Sequence, residues 1–129
     1  MILDTSSVLA ILRDEEDGPS FAEKIREANI CRISAATFVE LSMVLEATAG
    51  DTGILVCDTF FRENEILVEP FTEEQALAAR HGFSRYGKGR HPAGLNLGDC
   101  FSYGLAKVTG EPLLYKGNDF RKTDVKPAA

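Results

Sequence analysis

Apolar residues along the chain fall into short runs and helical stripes that alternate. Met1–Leu3 reads as a buried strand, and Val8, Leu9, Ile11 and Leu12 then cluster as on a helix from Ser6 to Leu12. Asp14–Asp17 is an acidic tetrad with the look of a solvated loop. Pro19 opens a helix to Ala28, with Phe21, Ala22 and Ile25 as its apolar stripe, and Asn29–Ile33 reads as a second strand. Ser34 caps a long helix to Ala49 that Gly50 stops; Phe38, Leu41, Val44, Leu45 and Thr48 share its inner face. Asp51 opens a further helix to Glu65, and Ile66–Glu69 is a third strand closed by Pro70. Thr72 with Gln75 predicts a capping box and a helix to Tyr86. After the glycine-rich stretch Gly87–Gly94, Asn96 caps a helix that runs to Thr109 and ends at Gly110. Pro112–Tyr115 is a fourth strand, followed by a polar turn and a brief extended tail near Val125.

Strands alternating with helices predict an α/β fold with a mostly parallel sheet. Each strand is a continuous apolar run, the pattern of a sheet covered on both faces. A length of 129 residues fits one domain spanning 1–129. No apolar run approaches the ~18 residues of a membrane span, and no basic segment precedes an apolar stretch, so neither a membrane helix nor a signal peptide is expected. Cys31, Cys57 and Cys100 are widely spaced and have apolar neighbours, which predicts buried free thiols in a reducing cytoplasm.

Charge changes this picture. A net charge of −6 and a pI near 4.9 argue at face value against a nucleic-acid binder. The charge is uneven, however. Residues 1–74 carry 5 basic and 16 acidic side chains, whereas residues 75–129 carry 9 and 4. Arg85, Tyr86, Lys88, Arg90 and His91 gather cations and a flat ring in and beside the glycine-rich stretch, a composition suited to phosphates and unpaired bases. A mobile solvated loop is the plainer alternative.

In parallel α/β sheets, ligands bind beyond the carboxyl ends of the strands. Four acids occupy such places: Asp4 ends the first strand, Glu40 lies in the third helix, Asp99 sits in the first turn after Asn96, and Asp119 follows the fourth strand. Each also has an ordinary use. Asp4 can cap a helix, Asp99 suits a helix's first turn, and Asp119 belongs to a turn-forming Gly117-Asn118-Asp119. Glu40 has no charged neighbour three or four residues away. Together the four offer only hard oxygen donors, the set that Mg²⁺ or Mn²⁺ requires, and such a centre polarises phosphodiesters.

Competing motifs fail. Gly82–Gly89 nearly spells a phosphate-binding P-loop, but Gly89 replaces the required hydroxyl residue and a helix precedes it. Asp4-Thr5-Ser6 lacks the second aspartate of a haloacid-dehalogenase-like phosphatase and the adjacent acids of a signalling receiver domain. His81 has no ligand-spaced partner and reads as a surface helix residue.

Met1–Ser6, Glu40, Asn96-Leu97-Gly98-Asp99-Cys100 and Pro112–Tyr115 leading to Asn118-Asp119-Phe120 resemble a PIN domain of the VapC type, over nearly the whole chain. The resemblance implies a three-layer α/β/α fold and an endoribonuclease dependent on Mg²⁺ or Mn²⁺ that hydrolyses RNA by metal-activated water. It implies the toxin half of a toxin–antitoxin pair, cytoplasmic, commonly homodimeric and inhibited by a VapB-type antitoxin. Structured RNA such as tRNA or ribosomal RNA is the implied substrate. Asp4, Glu40 and Asp99 correspond to the metal-binding core and Asp119 to a less constant fourth acid, with Asp124 a competing choice. Thr5 and Ser6 match hydroxyl positions that support the first aspartate, with Asn96 beside them as a supporting residue. The alternatives are a housekeeping RNA-processing PIN nuclease without an antitoxin and, further off, a receiver-like phospho-signalling domain.

Overall fold

The computed structural model describes residues 1–128. Its strands are β1 (Ile2–Leu3), β2 (Arg32–Ser34), β3 (Leu67–Glu69) and β4 (Leu113–Leu114), which form one sheet in the order β3-β2-β1-β4. Every pairing is parallel, with Ile2 opposite Arg32 and Leu113, and Ser34 opposite Glu69. The helices are α1 (Thr5–Leu12), α2 (Gly18–Glu27), α3 (Ala35–Glu63), α4 (Glu73–Tyr86) and α5 (Leu97–Thr109), followed by a 3₁₀ turn at Phe120–Lys122.

The sheet separates two apolar clusters, and the two-residue period of a strand explains how. Leu3 and Leu114 join Val8, Phe21, Ile33, Leu41, Leu45 and Phe61, from α1, α2, β2 and α3. The preceding residues, Ile2 and Leu113, join Ala79, Tyr86, Tyr103 and Leu105, from α4 and α5. Helices therefore cover both faces, giving the α/β/α layering that the resemblance implies. Cys31, Cys57 and Cys100 are free and buried, as their apolar neighbours predict.

Local signals act largely as read. Ser34 caps α3 through its side chain, which accepts from the Ala36 N–H at 3.2 Å. Gly50 interrupts α3 with φ +58° and ψ −140°, a conformation closed to most side chains, so Ala35–Glu63 is two helical stretches joined at the predicted break. Gly110 ends α5 in the left-handed region.

Three expectations need correction. The second strand lies at Arg32–Ser34, later than Asn29–Ile33. Thr72 caps α4 by accepting from the Gln75 N–H, but Gln75 does not complete the box; it is buried and donates from Nε2 to Pro70 O at 2.9 Å. The third strand is not covered on both faces: β3 is the sheet's edge, and Leu67 and Val68 remain 46 % and 44 % exposed.

Candidate active site

Asp4 follows β1 and takes the capping role open to it at the start of α1. Its backbone N–H donates to Leu114 O at 3.0 Å, which extends the sheet, and its side chain caps α1. The carboxylate is buried, at 5 % exposure, and accepts three hydrogen bonds. Oδ2 takes Ser6 Oγ at 2.6 Å and Ser6 N at 3.1 Å; Oδ1 takes Ser102 Oγ at 2.6 Å. Donors on both oxygens hold the carboxylate in one orientation. Ser6 Oγ also accepts from the Lys116 N–H at 3.0 Å, which ties Asp4 to the turn carrying Asp119.

Glu40 projects from α3, and Thr5 Oγ1 donates to its Oε1 at 2.7 Å. Gly98, in the first turn of α5, makes room for it: a Cβ there would overlap Glu40 Oε2 and lie 2.8 Å from its Cδ. Asp99 and Asn96 form a reciprocal capping box, Asp99 N donating to Asn96 Oδ1 at 2.9 Å and Asn96 N to Asp99 Oδ2 at 3.0 Å. The ordinary reading of Asp99 thus holds, and the cap sets the rotamer of its side chain.

Burial pushes the Asp99 carboxyl up to about 6; the Asn96 hydrogen bond lowers it, and the charges of Asp4, Asp119 and Glu40 raise it. Thus β1, α3, α5 and the turn after β4 deliver four carboxylates to one neighbourhood. Asp124 does not join them. It lies against α5, where Tyr103 Oη donates to it at 2.9 Å and Lys107 Nζ at 3.0 Å. Burial opposes its ionisation, yet those two donors hold its carboxyl below the usual value. Of the two, Asp119 is the one whose charge acts on Asp99.

Among the described residues, no three carboxylates stand close enough to form a ready-made cation cage. The donor set nevertheless fits a hard divalent cation. All four side chains offer oxygens, and Glu40 is admitted to Asp99's helix by the missing Cβ of Gly98.

The sign of the pH dependence follows from Asp99. Its folded value near 6 exceeds the ordinary 3.8, so between the two the folded state keeps a proton that the unfolded chain has lost. This group's contribution to stability of the ion-free protein therefore falls as pH rises from about 4 to 6. A divalent ion must displace that proton, so ion binding strengthens as pH rises through the same window. The gain in melting temperature from a fixed Mg²⁺ concentration should be larger at about pH 7.5 than at about pH 5. Equal gains would remove Asp99 from the ligand set.

The glycine-rich stretch closes on itself through Lys88 N to Leu95 O at 2.9 Å and leads directly into Asn96. Arg85, Lys88 and Arg90 are exposed. Tyr86 does not supply the expected stacking platform. It is 7 % exposed, packed against Tyr103 and met edge-on by His91. His91 is half-buried, and its Nδ1 accepts from the Ala93 N–H at 3.0 Å, which shapes the loop. The near P-loop is also excluded by shape, since Gly82–Tyr86 is the last part of α4. His81 is exposed on the same helix.

Sequence reasoning missed Ser102. A small hydroxyl residue in the largely buried apolar stretch Cys100–Ala106, one turn after Asp99, was the available signal.

Residues 1–126 match the PIN domain family. The chain is 46 % identical over 129 residues to VapC ribonuclease Mb0625 of Mycobacterium bovis, covering 99 % of this chain and 97 % of that one. It is 44 % identical over 125 residues to ribonuclease VapC of Mycolicibacterium smegmatis, covering 97 % of each. The fold matches the crystal structure of Mycobacterium tuberculosis VapC20, a sarcin-ricin loop cleaving toxin, with a TM-score of 0.72 at 16 % identity and 98 % coverage of both chains. Four acids gathered at the carboxyl ends of a parallel sheet, with these matches along nearly the full length, make the chain a member of the VapC ribonucleases of the PIN-domain family.

Proposed function

We propose that this protein is a divalent-metal-dependent endoribonuclease, the toxin of a toxin–antitoxin pair. The observation that carries the reading is the convergence of Asp4, Glu40 and Asp119 on Asp99 from four separate elements. Asp4, Glu40 and Asp99 would hold Mg²⁺ or Mn²⁺, with Asp119 completing the set. The ion supplies Lewis-acid polarisation of a phosphodiester and acidifies water.

The chain's own groups do the rest. Ser6 and Ser102 keep Asp4 aimed, Thr5 holds Glu40, and the Asn96 box holds Asp99. Arg85, Lys88 and Arg90, exposed where the chain enters the Asp99 helix, bind RNA phosphates; His91 shapes that loop. Structured RNA, tRNA or ribosomal RNA, is the substrate class. The four acids account for much of the net charge of −6 that seemed to argue against RNA, since bound cations neutralise them.

A VapB-type antitoxin and a second copy of the chain are the proposed protein partners, and the cytoplasm the proposed location. Exposed apolar side chains beside the site support a protein partner: Leu97 is 72 % exposed and borders, with Phe71, Phe83 and Phe101, an apolar cleft of about 450 Å³. Among the described residues, no helix is long and apolar enough to cross a membrane.

The test combines two measurements. Purified protein with cellular RNA should cut at discrete positions in Mg²⁺ or Mn²⁺ and stop on chelation, with mapped ends naming the target. Induced expression should arrest growth, and co-expression of the upstream open reading frame should relieve it. Unchanged RNA together with unimpeded growth would overturn the reading; cleavage without growth arrest would leave a processing nuclease instead.

A further inference from the structure

Beneath the carboxylates lies a second layer, made of hydroxyls. Thr37 precedes Glu40 on α3 by one turn, and Ser102 follows Asp99 on α5 by one turn. Both side chains are fully buried, at 0 % exposure, and their oxygens are 3.4 Å apart. Ser102 Oγ also stands 2.6 Å from Asp4 Oδ1.

Proton counting fixes the direction. A hydroxyl has one proton, and an ionised carboxylate only accepts. Ser102 gives its proton to Asp4, so the Thr37 hydroxyl donates to Ser102. The chain of donors thus runs Thr37 to Ser102 to Asp4, from α3 through α5 to the end of β1. These are the three elements that carry Glu40, Asp99 and Asp4. Neither hydroxyl has an exposed surface through which to meet substrate, so any effect passes through Asp4.

We infer that Ser102, oriented by Thr37, is a positioning residue that sets the affinity of the carboxylate centre for its divalent ion. The inference rests on the metal-dependent reading above. Asp4 Oδ2 is already held by Ser6, which fixes one end of the carboxylate. Ser102 fixes the other end, so that both oxygens of a carboxylate that would hold the ion are oriented. Without it, a buried carboxylate oxygen loses its donor and Asp4 gains freedom to rotate. Outer partners of ligating groups commonly change metal affinity by roughly 10–100-fold. The Thr37 contact is longer than an ordinary O–H···O bond, so its share is smaller.

The experiment titrates Mg²⁺ and Mn²⁺ calorimetrically into RNA-free wild type, Ser102→Ala and Thr37→Val. Ser102→Ala should weaken ion binding by about tenfold and Thr37→Val by about twofold to threefold. Ser102→Thr, which keeps the hydroxyl, should retain more affinity than Ser102→Ala. Cleavage by Ser102→Ala should recover when the ion concentration is raised by the same factor. A purely structural serine would lower the ion-free melting temperature and leave the ion dissociation constant unchanged; that result overturns the inference. If Ser102→Ala does not fold, Thr37→Val decides, since valine keeps the shape of threonine, and an unchanged dissociation constant there overturns it too. Wild type that binds neither ion overturns both the inference and the metal-dependent reading, whereas wild type that binds while the variants bind equally overturns the inference alone.

Discussion

Asp99→Asn is expected to reduce RNA cleavage by roughly a thousandfold or more, about 4 kcal/mol of transition-state stabilisation, without unfolding the protein. The fold survives because Asn retains a side-chain oxygen that can accept the Asn96 N–H, so the capping box persists. The charge does not survive, and in the ion-free protein that is a gain. Burial and the charges of Asp4, Asp119 and Glu40 all disfavour the Asp99 carboxylate, whose value lies near 6. Ion-free Asp99→Asn should therefore melt at or slightly above the wild-type temperature at neutral pH, by on the order of 1 kcal/mol once solvent screening is allowed for. The stabilisation that Mg²⁺ gives wild type should be largely lost. Cleavage assay and melts with and without Mg²⁺ check both halves. Retained cleavage would remove Asp99 from the catalytic centre.

The choice of Asp99 over Asp4 matters. Asp4 accepts hydrogen bonds on both oxygens, from Ser6 and from Ser102. An asparagine there must turn its NH₂ toward one of those donors, in a buried site. The cost is about 1–3 kcal/mol, which would mix lost folding with lost chemistry. Asp99 separates them.

The same contrast shows what local sequence could and could not reveal. Asp4, Ser34 and Asn96 were legible as helix starts, Gly50 and Gly110 as helix ends, because capping is decided within a few residues. The gathering of Asp4, Glu40, Asp99 and Asp119 was legible only through topology: a parallel sheet brings strand ends together whatever lies between. The partners of those acids were not legible. Ser102 reaches Asp4 across 98 residues of sequence, and Asp124 is drawn away by Tyr103 and Lys107 on another element. Leu67 and Val68 read as buried because nothing in their own run says that β3 is the edge. Tyr86 is different, since its burial was readable: Gln75, Ala79, Gly82 and Tyr86 recur at helical spacing and form the buried stripe of α4. The basic residues around Tyr86 drew the ring into the loop's chemistry, whereas the helix had already committed it to Tyr103.

Gly98→Ala should separate stability from activity in the opposite way to an ordinary packing mutation. In an exposed helix, this change gains about 0.5–1 kcal/mol, because alanine loses less backbone entropy than glycine. Here the new methyl would overlap Glu40 Oε2 and crowd its Cδ. The atom in the way is the tip of a flexible side chain, so the fold yields cheaply: Glu40 turns aside. Its cost is the Thr5 Oγ1–Glu40 Oε1 bond at 2.7 Å, worth about 1 kcal/mol. Gain and loss nearly cancel, and the melting temperature of the ion-free variant should stay within a few degrees of wild type. Catalysis has no such cancellation. Glu40 is moved by an ångström or more from the position shared with Asp99, and a displacement of that size costs roughly a hundredfold in rate. The expected result is near-normal folding with cleavage reduced about a hundredfold. Gly98→Ser should behave similarly, whereas Gly110→Ala, at the other end of the same helix with nothing within 4 Å of the added Cβ, should cost stability through its φ of +71° and spare the cleavage rate of the folded fraction. Normal cleavage by Gly98→Ala would mean that Glu40 can leave its place without consequence, and it would strike Glu40 from the site.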